Sequence, residues 1–305
     1  MESQNIKPEF NDGASLYPPF IEAVLLILTM LFCMLIAFGL TMLLQQFYGA
    51  ESAFLKNINP ESVTLSERNY LRFSALISNG MLFLVPGLVF AWFVYRGAWQ
   101  KRLRLSAPFN PAWLLPLPVF VLSVFFFSQF TYWLNQMLPL PAWAATAESQ
   151  TADLVTGMLR MDGAGEFLFT FFVVAIVPAV GEELIFRGII QRRLEEIMRR
   201  PHTAVWISAI IFSFVHFQFA GFLPRVVLGL MLGYLFLWTR NLWVPILAHL
   251  LINGVQVGAA YAVKDKLKDI DPTALESIPA SQMLLTAAVS LIFIYLAGQQ
   301  LYKIR

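Results

Sequence analysis

Three short stretches carry the side chains able to do chemistry. The first is Gly-Glu-Glu-Leu-Ile-Phe-Arg-Gly, where Glu182 and Glu183 interrupt an apolar run. Consecutive helical residues point about 100° apart, so the two carboxylates face different ways. Glu183 and Arg187 stand at i and i+4 with the acid first, the favoured order for an ion pair on one helix face. Glu182 has Ile185 and Phe186 at the matching offsets and no counter-ion on its own helix. The spacing therefore predicts a Glu183–Arg187 brace and a separate Glu182 carboxylate. In a desolvated cavity such a carboxylate can act as general base on water. The alternative is that both acids only neutralise Arg187 or pair across helices.

The second stretch is Phe212-x-x-x-His216 and the third is His249-x-x-x-Asn253. In each, the two residues share one helix face. A lone histidine on an apolar helix is commonly a packed core residue. A His/Asn face commonly bonds to neighbouring helices, as polar residues do in membrane bundles. The chain has three histidines. Two of them, His216 and His249, fall inside apolar runs, while His202 beside Pro201 reads as incidental. If the three runs pack together, an acid, two imidazoles and an amide meet in one wet cavity. That is an inventory for hydrolysis: a base, an imidazole to hold water, and donors for an oxyanion.

Such a site needs elements that hold it in hydrocarbon. The chain has 305 residues, of which 58% are hydrophobic and 13% charged, and its mean hydropathy is +0.66. Repeated apolar runs of about 20 residues mark a polytopic integral membrane protein in the lipid bilayer. Backbone groups in lipid must be satisfied internally, so the expected fold is all-α, a transmembrane bundle. The runs predict about eight spans, near 20–44, 73–95, 113–138, 167–190, 204–219, 222–238, 242–262 and 283–301. This places His216 mid-span, the loop 141–166 outside the bundle, and Glu22 and Arg225 near span ends, within reach of the interface. Ala220 and Gly221 alone separate the fifth and sixth runs, predicting a tight hairpin. Gly229-x-x-x-Gly233 predicts close helix packing within the bundle. The expected division is 1–166 for the first three spans, 167–262 for the core bearing the polar sets, and 263–305 for the last loop and span.

Basic residues orient the bundle. Arg96, Lys101, Arg102 and Arg104 follow the second run, Arg192, Arg193, Arg199 and Arg200 the fourth, and Arg240 the sixth. They share one side if both termini are cytoplasmic. The surface helix that continues the fourth run is expected to end at Pro201. The polar start of the chain lacks signal-peptide features. The loop 264–280 mixes lysines with acids and fits the rule less well. Cys33 is the one cysteine, so an intrachain disulfide and a cysteine metal site are excluded. The net charge of +2 gives no ground for a nucleic-acid partner.

The sequence resembles the CAAX protease and bacteriocin-processing (CPBP, or Abi) family of intramembrane proteases, which includes the type II CAAX prenyl endopeptidases. The family pattern E-E-x-x-x-R, F-x-x-x-H, H-x-x-x-N stands here as Glu182-Glu183-x-x-x-Arg187, Phe212-x-x-x-His216 and His249-x-x-x-Asn253. The resemblance covers about 167–260. It implies a cavity opening to the cytoplasmic side and endoproteolysis of protein or peptide substrates, some of them prenylated. It also implies roles: Glu182 activates water, His216 helps hold it, His249 and Asn253 stabilise the oxyanion, and Glu183 with Arg187 supports them. Glu182, His216 and His249 could instead bind Zn²⁺ with one open position. Asn253, a good donor and a poor zinc ligand, inclines the reading to a metal-free water. The rival functions are a non-catalytic scaffold or immunity protein of this fold and a proton-coupled transporter.

Overall fold

A computed structural model describes residues 17–49, 62–264 and 279–304. The expectations about the chain's start and the lysines and acids of 265–278 lie outside these residues. Among the described residues every regular element is a helix. In chain order these are α1 (Pro19–Tyr48), α2 (Leu65–Arg102), α3 (Pro111–Gln136), α4 (Ala142–Leu159), α5 (Ala164–Met198), α6 (Pro201–Phe214), α7 (Phe222–Thr239), α8 (Trp243–Ala262) and α9 (Ala280–Lys303). All but α4 and α6 are long and apolar enough to cross a bilayer, seven helices against the eight spans expected. The short α6 packs on α7 as a hairpin that returns to the side it left, since Arg240 after α7 pairs with Glu195 at the end of α5.

The missing span is α6. Its 14 residues reach about 21 Å, short of the roughly 30 Å of a hydrocarbon core. The apolar run continues beyond it, but residues 215–221 form a turn in which Phe217 takes a φ of 50°. Hydropathy does not distinguish an apolar turn from a helix. His216 accordingly lies in this turn, just past the end of α6, and not mid-span. The expected loop 141–166 also differs, because most of it is the helix α4. Its sequence, Ala-Trp-Ala-Ala-Thr-Ala-Glu, is rich in strong helix formers without being apolar enough to read as a span. Pro201 opens α6 as its first residue, whereas α5 has already stopped at Met198, with Arg199 left-handed at a φ of 54°.

Helix α5 is the axis of the bundle. Its most apolar window is 61% buried, against 11% for α1. One apolar core joins α3, α7, α8 and α9 through Leu117, Phe120, Leu232, Val244, Ile252 and Leu301. A second joins α1, α2, α5, α7 and α8 through Leu26, Phe90, Leu184, Phe236 and Ile246. A third, smaller cluster of Phe83, Ile185, Phe186 and Phe212 ties α2 and α6 to the middle of α5.

Ion pairs mark both ends of α5. At its start, Glu166 accepts from Arg68 (3.0 Å) and Arg72 (2.9 Å), and Arg68 also reaches Asp162 at 2.6 Å. At its far end, Glu196 pairs with Arg102 (2.6 Å) and Arg193 (2.8 Å), and Glu195 with Arg240 (2.5 Å). Glu22 belongs here too. It lies in the belt near a span end, as expected, but buried at 3% exposure and paired with Arg193 at 2.8 Å. At 1.5 Å per residue, Glu182 lies about 24 Å from Glu166 and about 21 Å from Glu196. The acid pair therefore sits midway between the two charged belts, where α5 is most enclosed.

Two prolines loosen the helices that flank this level. Segments Gly80–Leu84 in α2 and Phe172–Ile176 in α5 are wound as π-helix, and each is followed by a proline, Pro86 and Pro178. A helical proline lacks the N–H that would bond the carbonyl four residues back and its ring crowds that carbonyl. The two loosened helices pack closely. A methyl at Gly181 would stand 2.7 Å from the backbone nitrogen of Leu84, so only glycine fits there.

Candidate active site

Glu182 and Glu183 are buried on α5 at 5% and 0% exposure and point to different partners. Glu183 Oε1 accepts from Arg187 Nη1 at 2.8 Å and lies 2.9 Å from His249 Nδ1. Arg187 Nη2 donates to the Gly229 carbonyl on α7 at 2.9 Å, and its guanidinium lies 4.9 Å from the centre of the Phe212 ring. One turn on, Gln191 Nε2 repeats the pattern, donating to the Gly233 carbonyl at 3.0 Å. Each glycine of the Gly-x-x-x-Gly pair thus leaves its carbonyl open to a donor from α5. The same glycines bring α7 against α6: a methyl at Gly229 would meet Ala209 at 3.0 Å, and one at Gly233 would meet Val205 at 2.8 Å.

Glu182 takes no part in this brace. Its Oε2 lies 4.0 Å from His216 Nε2 and 3.9 Å from His249 Nε2. Both rings have the opposite nitrogen engaged. His216 Nδ1 is 2.7 Å from the Phe212 carbonyl, which can only accept, so Nδ1 carries a proton and in the neutral ring Nε2 carries the lone pair. His249 Nδ1 faces the Glu183 carboxylate and donates to it. Its Nε2 is then a lone pair in the neutral ring or a donor in the imidazolium. The Phe212 ring packs between the imidazoles, with centroids 5.0 Å from His216 and 6.2 Å from His249. The folded chain thus brings together Glu182, Glu183, Arg187, Phe212, His216 and His249 from α5, α6, the turn after it, and α8.

Asn253 stands one turn beyond His249, and its recorded bond leads elsewhere. Asn253 Nδ2 donates to the Val174 carbonyl at 3.1 Å. Val174 is four residues before Pro178, so this is the carbonyl that the proline leaves without its helical donor. Asn253 fills that vacancy with one N–H and retains a second.

The gaps around Glu182 Oε2 say what fits between these groups. Separations of 3.9–4.0 Å exceed a direct hydrogen bond. A single water with hydrogen bonds of about 2.8 Å bridges such a gap at an angle of about 90°. Tetrahedral zinc, with ligands at about 2.0–2.1 Å, sets neighbouring ligand atoms about 3.3–3.4 Å apart. Both carboxylate–imidazole gaps as arranged are wider than that. Among the described residues no group of three His, Cys, Asp or Glu side chains is placed to hold a metal ion.

Several residues of this site were not legible in the motifs. The Glu183–His249 contact joins helices 66 positions apart, and helical spacing reports neighbours only along one helix. Gln191 and Gly233 did carry a signal, since each repeats its partner, Arg187 or Gly229, at i+4. Asn135 and Glu148, which touch the turn bearing His216, lie outside every motif.

Comparison with known proteins gives a distant match at the level of a superfamily. Residues 164–255 match the family model of type II CAAX prenyl endopeptidase Rce1-like proteins. The uncharacterized protein YpbD of Bacillus subtilis is 30% identical over 98 residues, which cover 30% of this chain and 47% of that protein. The membrane-embedded CAAX protease MroQ of Staphylococcus aureus is 33% identical over 95 residues, covering 30% of this chain and 38% of that protein. Each match spans less than half of the relative's own length. No solved structure matches. The part of the chain that carries the acid pair and the two histidines facing it is thus similar to the Rce1-like CAAX protease superfamily, without pointing to one member of it.

Proposed function

We propose that this protein is an intramembrane endopeptidase that hydrolyses a peptide bond with a water held between Glu182 and His216. The observation that supports it is the convergence of two imidazole Nε2 atoms on Glu182 Oε2, at 3.9 and 4.0 Å, with both Nδ1 atoms otherwise engaged. A bridging water gives one hydrogen to Glu182 Oε2 and the other to the His216 Nε2 lone pair. Its oxygen lone pair then faces the substrate. Attack forms the C–O bond as Glu182 takes the proton, and the carbonyl oxygen becomes an oxyanion. His249, as imidazolium, donates from Nε2 to that oxyanion, and Asn253 adds the N–H not used on Val174. Glu182 then passes its proton to the amide nitrogen and the C–N bond breaks. Glu183, held by Arg187, fixes the ring of His249.

The catalytic core in this reading is 167–262, and both termini face the cytoplasm, so the basic ends of α2, α5 and α7 lie on that side. The substrates are proteins or peptides cut close to the membrane or near their C-terminus, with or without a prenyl group. The test compares the purified full chain with Glu182→Gln in proteoliposomes, using quenched peptides with prenylated and unprenylated CAAX-type ends. Loss of the base is expected to lower the rate about 10²–10⁴-fold. Equal cleavage by both proteins removes Glu182 from the role, and cleavage of only one peptide class fixes the lipid requirement.

A further inference from the structure

The proposed reaction leaves unexplained how a turn, rather than a helix, holds His216 in place at this depth. Residues 215–221 leave the regular helical ladder, so their backbone N–H and C=O groups must find partners in the turn itself or in neighbouring side chains. Phe217, next to His216, is left-handed at a φ of 50°, a conformation that costs a bulky residue free energy and persists only where neighbours enforce it.

The neighbour that encloses this turn is Asn135, near the end of α3. It is 3% exposed. Its Nδ2 donates to the Phe219 carbonyl at 2.8 Å, and its Oδ1 accepts from the Leu223 N–H at 3.0 Å. One amide thus clamps the turn on its exit side and the first turn of α7. Three further side chains complete the frame, one of them Arg225, which donates to the Gln218 side-chain oxygen at 2.7 Å and to its backbone carbonyl. Ser213 Oγ donates to the Phe222 carbonyl at 2.8 Å, and Glu148 on α4 accepts from the Ala220 N–H at 3.0 Å. Asn135 and Glu148 both precede the matched segment 164–255.

We propose that Asn135 is a positioning residue for His216, holding the 215–221 turn so that Nε2 meets Glu182. Its catalytic meaning rests on the function proposed above, but its effect on the His216 ring does not. Asn135 makes both amide bonds to backbone, so an apolar replacement leaves the Leu223 N–H unpaired and reduces the Phe219 carbonyl to its bond from the Phe222 N–H at 3.1 Å. The ring then loses the fixed 4.0 Å relation to Glu182 while Glu183 and His249, on α5 and α8, keep theirs.

The chain has three histidines, which makes ring ¹⁵N spectroscopy a direct readout. With ¹⁵N-histidine protein in micelles, Asn135→Ala is expected to shift or broaden the His216 ring signals and leave those of His202 unchanged. In the peptide assay kcat is expected to fall about tenfold, as for loss of one to two hydrogen bonds, with KM nearly constant. Unaltered His216 signals in Asn135→Ala overturn the proposal, and so do equal changes in all three histidines, which mark general loosening. Asn135→Asp keeps the acceptor for Leu223 and replaces the donor to Phe219 by a carboxylate oxygen, so it gives the same comparison if the alanine variant fails to fold. Moved His216 signals in a protein that cleaves no peptide uphold the positioning role and sink the protease reading.

Discussion

Glu183→Gln isolates the charge of the brace from its shape. Glu183 and Arg187 are both fully buried and 2.8 Å apart. Glutamine keeps an oxygen where Oε1 accepts from Arg187 and His249, and places an N–H₂ where Oε2 already lacks a partner. What disappears is the counter-ion. Arg187 then keeps the Gly229 carbonyl and the Phe212 ring face, neither of which neutralises a guanidinium. Breaking one side of a buried pair costs about 3–5 kcal/mol, because the remaining charge stays desolvated. Glu183→Gln with Arg187→Met removes both charges and should return to within about 1–2 kcal/mol of the parent protein. The eight tryptophans provide a fluorescence signal for reversible unfolding in mixed micelles of mild detergent and dodecyl sulfate. The double variant should remain nearly inactive despite its stability, because His249 has lost the carboxylate that orients it. A single variant as stable as the parent, or a double variant no better than the single, refutes the assignment of this pair as a mutually dependent buried brace.

Close approach makes the glycines unequal. Gly181→Ala, aimed at the Leu84 backbone at 2.7 Å, and Gly229→Ala, aimed at the Ala209 backbone at 3.0 Å, should each cost about 1–3 kcal/mol, whereas Gly39→Ala, with nothing within 4 Å, should be tolerated; the same unfolding assay ranks them. The open spacing around Glu182 predicts that a strong chelator leaves peptide cleavage unchanged and that added Zn²⁺ does not raise it. Inactivation by the chelator with recovery on Zn²⁺ overturns the metal-free water. Asn253→Leu should destabilise by about 1–3 kcal/mol through the unpaired Val174 carbonyl, and Pro178→Ala should recover part of that loss by restoring a backbone donor, whereas additive losses in the double variant refute the coupling.

Much of the architecture is legible along the chain because each helix must bury its own backbone bonds and long apolar runs follow. The separation of Glu182 from Glu183 also follows from helical rotation alone, and the fold sets them at opposite nitrogens of His249, with Arg187 bonded to Glu183. What escapes is whatever depends on a second element. Residues 204–219 read as one run, yet an apolar turn braced by Asn135 has the same composition as the last turn of a helix. Helix α4 escapes because its alanine-rich sequence fits a helix but not a span. Glu22 carries a charge near a helix start, which suggests exposure, and only the approach of Arg193 from α5 makes its burial tolerable.

The same logic accounts for where the polar residues of the site gather. In hydrocarbon an unpaired carbonyl or N–H has no water to turn to, so each departure from regular helix demands a side chain to complete it. Pro178 opens the carbonyl of Val174, and Asn253 answers it. The turn after α6 opens Phe219 and Leu223, and Asn135 answers both. Glycines open the carbonyls of Gly229 and Gly233, and Arg187 and Gln191 answer those. Each irregularity therefore recruits a polar group, while one carboxylate of the same bundle is satisfied by none of them. Glu182 is left facing two imidazoles across gaps of about 4 Å, the one acid of the central level without a direct hydrogen bond among the described residues. A bundle stabilised only by its brace would gain from closing those gaps, whereas the water of the proposed reaction requires them open.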